Sequence, residues 1–178
     1  MKRTFLLLSV LLIVTGSAAQ KAGYINLTTF GILAGTSSDD KPAPFSAIME
    51  NHYRFNFGLA PGLLVGIEQL NENVMPVALN LKYFLPAGKC EFFTACLGGY
   101  SVSLHKPNME GIKKATGGVM AGAEIGLLIP VNSGSSVVLA LGYRYNELNY
   151  QLEDWWIGNY ERKVTYNRFS VRIGIALY

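Results

Sequence analysis

The end of the chain alternates strictly between large apolar side chains and small or charged ones. One phase holds Phe169, Val171, Ile173, Ile175 and Leu177, whereas Ser170, Arg172, Gly174, Ala176 and Tyr178 hold the other. A period of two is the signature of a β-strand with two unlike faces. The pattern therefore predicts a final strand that is apolar on one face and small or charged on the other.

The same alternation recurs along the chain, and amphipathic helical segments are hard to find. It predicts eight strands, at Tyr24–Leu33, Ser46–Phe55, Phe57–Gln69, Val74–Leu85, Phe92–Leu104, Gly117–Ile129, Ser136–Leu148 and Thr165–Tyr178. The intervening segments include short turns and longer polar stretches, the latter at 35–44, 105–115 and 149–163. This arrangement favours an all-β fold, an eight-stranded antiparallel up-and-down transmembrane β-barrel.

The small and charged phase contains many glycines, which decides which face points inward. Glycine in a strand packs nothing and costs entropy, so a solvated surface rich in glycine is unfavourable. An eight-stranded barrel, by contrast, has an interior just wide enough for side chains to fill. We therefore expect the glycines and charges inside and the apolar phase facing lipid. A soluble lipocalin-like carrier, with the two faces exchanged, is an alternative.

The inward phase carries a set of charged residues that we expect to form a polar network. Its members are Glu50, Arg54, Glu68, Lys82, Glu124, Arg144 and Arg172. Three acids against four bases leave little net charge, which predicts a plugged, hydrogen-bonded interior without a transport pore. His52 falls among them as a further hydrogen-bonding member, whereas Asn51 interrupts the apolar phase of the second strand.

Aromatic residues cluster toward both ends of the predicted strands. One group is expected near the short turns, namely Tyr24, Phe55, Phe57, Phe84, Phe92, Phe93 and Tyr178. The other is expected near the long loops, namely Tyr100, Tyr143, Tyr145, Tyr150, Tyr166 and Phe169. Two aromatic belts are typical of the two interfaces of a membrane.

The start of the chain has the pattern of a secretory signal peptide. Lys2 and Arg3 precede an apolar run, and small residues follow at 17–19. We therefore expect a signal peptide at 1–19, a barrel at 20–178, and residence in the outer membrane. The net charge of +3 is scattered, which argues against a nucleic-acid partner. Cys90 and Cys96 lie too far apart on one strand to form a disulfide, and no residue set indicates a metal or cofactor.

Several segments resemble the small outer-membrane β-barrel proteins of Bacteroidetes. The matching stretches are Tyr53–Asn56, the strand with Gly62, Gly66 and Glu68, Pro76–Val77 opening Leu79–Tyr83, Leu97–Ser101, Leu141–Tyr145 and Val171–Gly174. The resemblance implies outer-membrane lipids as surroundings, and assembly by the barrel assembly machinery through the C-terminal strand. In that family the last residue shares the outward phase, whereas Tyr178 falls one residue past it. Either Leu177 or Tyr178 is therefore the assembly-signal position.

Two sets of residues are candidates for chemistry or recognition. Ser103 and His105 share one strand face near a loop, a spacing that suits a hydroxyl activated by an imidazole. Because some small outer-membrane barrels are enzymes that act on lipid A with such residues, the resemblance implies a lipid A modifying hydrolase as an alternative function. Trp155, Trp156 and Tyr160 lie in a predicted long loop and are candidates for binding an extracellular ligand. We expect a structural or surface-interacting protein rather than an enzyme.

Overall fold

The computed structural model describes residues 22–35, 44–70, 73–104, 112–154 and 158–178, with only the backbone at 112–115, 152–154 and 158–160. The predicted signal peptide at 1–19 lies outside these ranges. The described residues form nine strands: β1 Gly23–Ala34, β2 Phe45–Arg54, β3 Leu59–Gln69, β4 Asn73–Ala87, β5 Cys90–Ser103, β6 Ile112–Thr116, β7 Gly118–Asn132, β8 Ser135–Asp154 and β9 Gly158–Leu177. Nowhere in this part of the chain is there a helix that could cross a bilayer.

The strands close into a barrel. All the pairings are antiparallel, and β9 pairs with β8 on one side and with β1 on the other. The short strand β6 and the longer β7 both pair with β8, one beyond the other, so they share one position in the wall. The barrel therefore has eight strand positions, and the predicted eight-stranded antiparallel fold is confirmed.

Gly117 separates β6 from β7 and explains the interruption. Its carbonyl oxygen accepts a hydrogen bond from the Tyr100 hydroxyl at 2.7 Å and one from Asn149 Nδ2 at 3.4 Å. A Cβ at this position would also overlap the Ser101 carbonyl oxygen and approach the Tyr100 ring. Side chains thus take the place of ladder partners at Gly117, and the chain leaves β5 there while it stays beside β8.

The barrel has two unlike ends. Both described termini and the turns at 55–58, 88–89 and 133–134 lie at one end, which we call the short-turn end. Gly58 and Gly88 adopt positive φ angles of 89° and 66° in two of these turns, a conformation that glycine adopts without strain. The strand ends that flank 35–44, 70–72, 104–111 and 155–157 lie at the opposite end, which we call the long-loop end.

Two predicted loops are partly strand. Ile112–Thr116 forms β6, and β8 and β9 pair from Ser135↔Leu177 through Asn149↔Lys163 to Asp154↔Gly158. The prediction of a loop was therefore wrong for 149–154 and 158–163, whereas 155–157 lie outside the described residues. Inward side chains continue to alternate here, with Tyr150 and Val164 buried, but the outward positions become polar. The apolar phase that marked the other strands is lost although the strand itself continues.

Side chains alternate between the interior and the outer wall, as the sequence pattern of the final strand predicted. Arg172 is 2 % exposed, whereas its neighbours Val171 and Ile173 are 48 % and 58 % exposed. The interior also holds three apolar clusters, of which one lies toward the short-turn end around Ile25 and Phe84, and another toward the long-loop end around Leu33 and Tyr166. The charged residues lie inside the barrel along with these clusters.

Four aromatic residues do not lie in the belts to which the sequence assigned them. Phe84 and Phe93 are buried inside with ring centroids 5.9 Å apart, and Tyr150 and Tyr166 are buried with their hydroxyl oxygens 3.4 Å apart. Each occupies the inward phase of its strand, so proximity to a strand end was a poor guide. The exposed aromatics at the short-turn end are Tyr24, Tyr53, Phe55, Phe57, Phe92 and Tyr178, and those toward the long-loop end include Tyr100, Tyr143 and Phe169.

Candidate functional site

Four buried charged residues form a closed ring inside the barrel. Glu50 lies on β2, Lys82 on β4, Glu124 on β7 and Arg172 on β9, so one side chain comes from every second strand position. Their charges alternate in sign around the ring. Each charge therefore has an oppositely charged neighbour on both sides, which is the arrangement that best offsets the cost of burying them. We call these residues the four-residue ring.

Direct contacts close this ring on all four sides. Lys82 Nζ lies 3.0 Å from Glu50 Oε2 and 2.9 Å from Glu124 Oε1. Arg172 Nη1 lies 3.3 Å from Glu50 Oε1, and its Nη2 contacts Glu124 Oε2. Each of these pairs skips the strand that lies between its two partners, so the ring ties four non-adjacent strands together.

Asn80 and His52 complete the hydrogen bonding of Glu50. Asn80 Nδ2 donates to Glu50 Oε2 at 2.7 Å, and His52 Nε2 lies 3.0 Å from the same oxygen. The other ring nitrogen of His52 lies 3.1 Å from the Ala60 carbonyl oxygen. Glu50 is therefore surrounded by cationic and hydrogen-bonding groups, as a carboxylate must be where water does not reach it.

Two of the intervening strands, β5 and β8, make room for the ring with alanines. Ala95 on β5 pairs in register with both Lys82 and Glu124, and Ala140 on β8 pairs with Arg172. Longer side chains at these two positions would compete with the ring for the same space. Small inward residues thus lie beside large charged ones, as the crowded interior of a small barrel requires.

A second ion pair crosses the interior. Arg144 Nη1 on β8 lies 2.7 Å from Glu68 Oε1 on β3, and both side chains are buried. The two strands are four positions apart in an eight-position wall, so they face each other. Ser46 adds a hydrogen bond to the same carboxylate oxygen at 3.2 Å.

A third pair lies at the short-turn end. Both guanidinium nitrogens Nη1 and Nη2 of Arg54 donate to the Glu91 carboxylate, each at 2.8 Å, and its Cζ lies 4.8 Å from the Phe84 ring centroid. Glu91 was missing from the predicted network because the fifth strand was expected to begin at Phe92. That strand begins at Cys90, and the inward phase includes Glu91.

Arg168 is another buried charge that the sequence analysis missed. It is 1 % exposed, and its Nη1 donates to the carbonyl oxygen of Gly35 at 3.1 Å. Among the described residues no carboxylate lies within ion-pair distance of it. Extending the alternation of the last strand back from Ser170 would have revealed it. With Arg168 and Glu91 included, five buried or half-buried bases face four acids, a balance of +1 without His52.

The remaining candidate residues lie mostly outside the part of the chain that the structure describes. Ser103 ends β5 half-buried, while His105, Trp155 and Trp156 lie outside the described residues and only the backbone of Tyr160 is described. Across the described ranges no group of three His, Cys, Asp or Glu side chains converges as a metal site would require. Cys90 and Cys96 both lie on β5 as free thiols, as predicted.

The fold and the ion-paired interior define a closed eight-stranded barrel with charges inside and apolar side chains outside. The chain is similar in structure to Neisserial surface protein A, with a TM-score of 0.60, 14 % identity, and coverage of 89 % of this chain and 99 % of that one. It is also similar to the outer membrane protein OprG from Pseudomonas aeruginosa, with a TM-score of 0.63, 15 % identity and coverage of 89 % and 97 %.

A third similar structure is the outer membrane protein AlkL in lipid bilayers, with a TM-score of 0.57, 12 % identity and coverage of 90 % and 93 %. No protein-family model matches the sequence, and no curated protein matches it. At these identities the likeness concerns the fold, and it agrees with the barrel described above.

Proposed function

We propose that this protein is a small outer-membrane β-barrel whose interior is plugged by ion pairs, with a structural or surface-interacting role and no transport pore. The observation that carries the proposal is the pairing across the interior. The four-residue ring links every second strand, and Glu68 and Arg144 meet from opposite walls. An ion or solute would have to separate these buried pairs in order to pass.

The distribution of side chains supports residence in a membrane. Described outward positions of β9, such as Val171 and Ile173, are apolar and about half exposed, while Arg172 between them is buried. A lipocalin-like carrier requires the opposite arrangement, with an apolar cavity inside and a wettable wall outside. The structural likeness to outer-membrane barrels favours the outer membrane over other bilayers.

The route to that membrane is part of the proposal. A signal peptide at 1–19 would export the chain, and the barrel assembly machinery would recognise its C-terminal strand. Leu177 ends β9 in the outward phase, whereas the Tyr178 hydroxyl lies 3.0 Å from Ser136 Oγ, a buried side chain of the inward phase. We therefore infer that Leu177, rather than Tyr178, holds the assembly-signal position. The motifs that resemble Bacteroidetes barrels support an origin in that group.

The long-loop end is the surface at which we propose contact with other molecules. There β8 and β9 extend together to Asp154 and Gly158, and the short strand β6 pairs beside them on β8. Trp155 and Trp156 come next in the sequence after Asp154, and the backbone of Tyr160 lies on β9 opposite Leu152. The length of the hairpin formed by β8 and β9 supports a role in presenting residues away from the membrane surface to an extracellular ligand.

Two measurements test this proposal. In fractionated cells we expect the protein in the outer-membrane pellet, migrating faster on a gel before boiling than after it. In planar bilayers we expect no stepwise conductance from the folded protein. We also expect none from the double variant Glu68→Ala/Arg144→Ala, because the four-residue ring still closes the interior.

Two outcomes would contradict the proposal. Monodisperse protein in buffer without detergent would refute residence in the membrane. Steady open-channel steps from the unaltered protein would refute the plugged interior, without affecting the location.

A further inference from the structure

The outer wall carries a hydrogen-bonded polar patch where β1 meets β2. Asn51 Oδ1 accepts a hydrogen bond from Asn26 Nδ2 at 2.8 Å and another from the Tyr24 hydroxyl. Thr28 Oγ1 in turn donates to Asn26 Oδ1 at 3.2 Å. Asn51 is the residue that interrupted the apolar phase of the second strand in the sequence. These four residues form what we call the asparagine patch.

Large apolar side chains surround the asparagine patch. In register, Asn26 is opposite Leu177 and Thr28 is opposite Ile175 on the β9 side, while Asn51 is opposite Leu63 on the β3 side. Those three side chains are each more than half exposed, whereas Asn26, Thr28 and Asn51 are half-buried. The polar side chains of the patch therefore stand out less from the outer wall than the apolar side chains around them, which form its rim.

The patch lies within the apolar band of the barrel. Tyr24 belongs to the exposed aromatics of the short-turn end, and Thr28 follows four residues later on the same strand. At a rise of ~3.3 Å per residue and a tilt of ~40°, Thr28 lies about 10 Å further into the band, and Asn26 about 5 Å, out of a height of ~25 Å. In a bilayer these groups would therefore face acyl chains.

Acyl chains cannot satisfy the hydrogen-bonding groups that remain. Among the described residues, neither N–H of Asn51 Nδ2 has an acceptor, although its oxygen has two donors. An unpaired amide N–H is costly in hydrocarbon. Asn26 and Thr28 keep free acceptor capacity on the same surface, since each oxygen can accept more than one hydrogen bond. The patch therefore offers donors and acceptors side by side.

We propose that the asparagine patch is the contact surface for a second copy of this chain in the membrane. A two-fold axis places the same patch on itself, so that the Asn51 donors of one copy face the acceptors of the other. The patch and its rim carry no charged side chain, so the two surfaces meet without repulsion between like charges. The proposal rests on residence in a bilayer, as proposed above.

Cross-linking of the full-length protein in phosphatidylcholine vesicles tests the proposal. With Cys90 and Cys96 replaced by serine, Met49→Cys puts a thiol opposite Thr28 at the edge of the patch, and Leu79→Cys puts one on the wall of β4, 71 % exposed in the unaltered chain. We expect oxidation to give a covalent dimer through position 49 but not through position 79. Adding Asn51→Leu should weaken the association about five-fold, the usual scale of one polar contact between membrane segments.

The unaltered protein, labelled with fluorophores, provides a second measure of the dimer fraction across a series of protein-to-lipid ratios. Thr28→Val removes one hydroxyl from the patch and keeps the shape of the side chain. This variant should therefore fold as the unaltered protein does. Equal cross-linking at positions 49 and 79, a dimer fraction unchanged by Asn51→Leu, or monomers at every ratio would each overturn the proposal. Failure to insert into vesicles would instead count against the proposed membrane location.

Discussion

Glu68 and Arg144 meet across the barrel interior from strands that face each other, with Arg144 Nη1 2.7 Å from Glu68 Oε1. The wall itself holds each strand only to its two neighbours, through backbone hydrogen bonds. This pair and the four-residue ring add links between strands that do not touch. Because the residues involved are buried, each link depends on having its opposite charge in place.

The ring predicts a large loss of stability when one of its cations is removed. Lys82→Met leaves Glu50 and Glu124 buried without the ammonium group that lies between them. We expect the free energy of unfolding to fall by about 3 to 5 kcal/mol, as for other buried pairs that lose one partner. Urea titration of the protein folded in lipid vesicles measures this change.

A compensating variant is the control for this prediction. Lys82→Met combined with Glu124→Gln removes one charge of each sign and leaves Glu50 paired with Arg172. The double variant should lose less stability than Lys82→Met alone. Losses that simply add would contradict the ring as a coupled unit.

The outer wall predicts that the cost of a charge depends on its depth. Ile173 lies outward on β9, four residues before Leu177 at the short-turn end. Ile173→Arg should reduce the free energy of unfolding in vesicles by ~2 to 4 kcal/mol, and Leu177→Arg by ~0 to 1 kcal/mol. Equal small effects at both positions would mean that water rather than lipid covers this wall.

Which side chains point inward and which point outward could be predicted from the sequence, because the alternation along a strand is a local pattern. All seven charged residues expected inside are buried, and the alternation places each of them without knowledge of the fold. Their partners did not follow in the same way. Which acid meets which base depends on the closure and stagger of the barrel, so Arg54 pairs with Glu91 rather than with a member of the predicted set.

The errors have a common physical origin. Phe84 and Tyr166 were assigned to membrane belts by their position along the chain, although the phase of their own strands points them inward. The hairpin beyond Leu148 was missed because its outward face is polar. Hydrophobic alternation detects a strand only where that strand passes through an apolar surrounding, and β8 and β9 continue beyond it.

Two glycines with different surroundings test how tightly the wall is packed. A Cβ at Gly31 would overlap the carbonyl oxygen of Val171 and lie 2.8 Å from Arg172 Cα, whereas a Cβ at Gly98 would have no atom within 4 Å. Gly31→Ala should destabilise the barrel by about 1 to 3 kcal/mol because backbone atoms cannot give way easily.

Gly98→Ala is the matched control, and its effect should stay within about 0.5 kcal/mol. Urea titration in vesicles gives both values under the same conditions. Comparable losses at the two positions would show that glycine matters here for its backbone freedom rather than for close approach.

An ion pair on the hairpin beyond the apolar band predicts a lowered pKa for Glu147. Lys163 Nζ on β9 lies 2.8 Å from Glu147 Oε1 on β8, and the Tyr145 hydroxyl donates to the same oxygen. The hydrogen bond from Lys163, followed by that from Tyr145, lowers the pKa of Glu147 below its ordinary value of 4.5. The carboxylate therefore stabilises the hairpin at pH values above 4.5, and this contribution is lost as the pH falls through the lower pKa of the folded state.

Carbon-13 NMR of labelled Glu147 should show the lowered pKa. Lys163→Gln should raise this pKa toward the ordinary value, and Lys163→Arg should leave it low. A Glu147 that titrates alike in all three proteins would mean that β8 and β9 are not paired at this height.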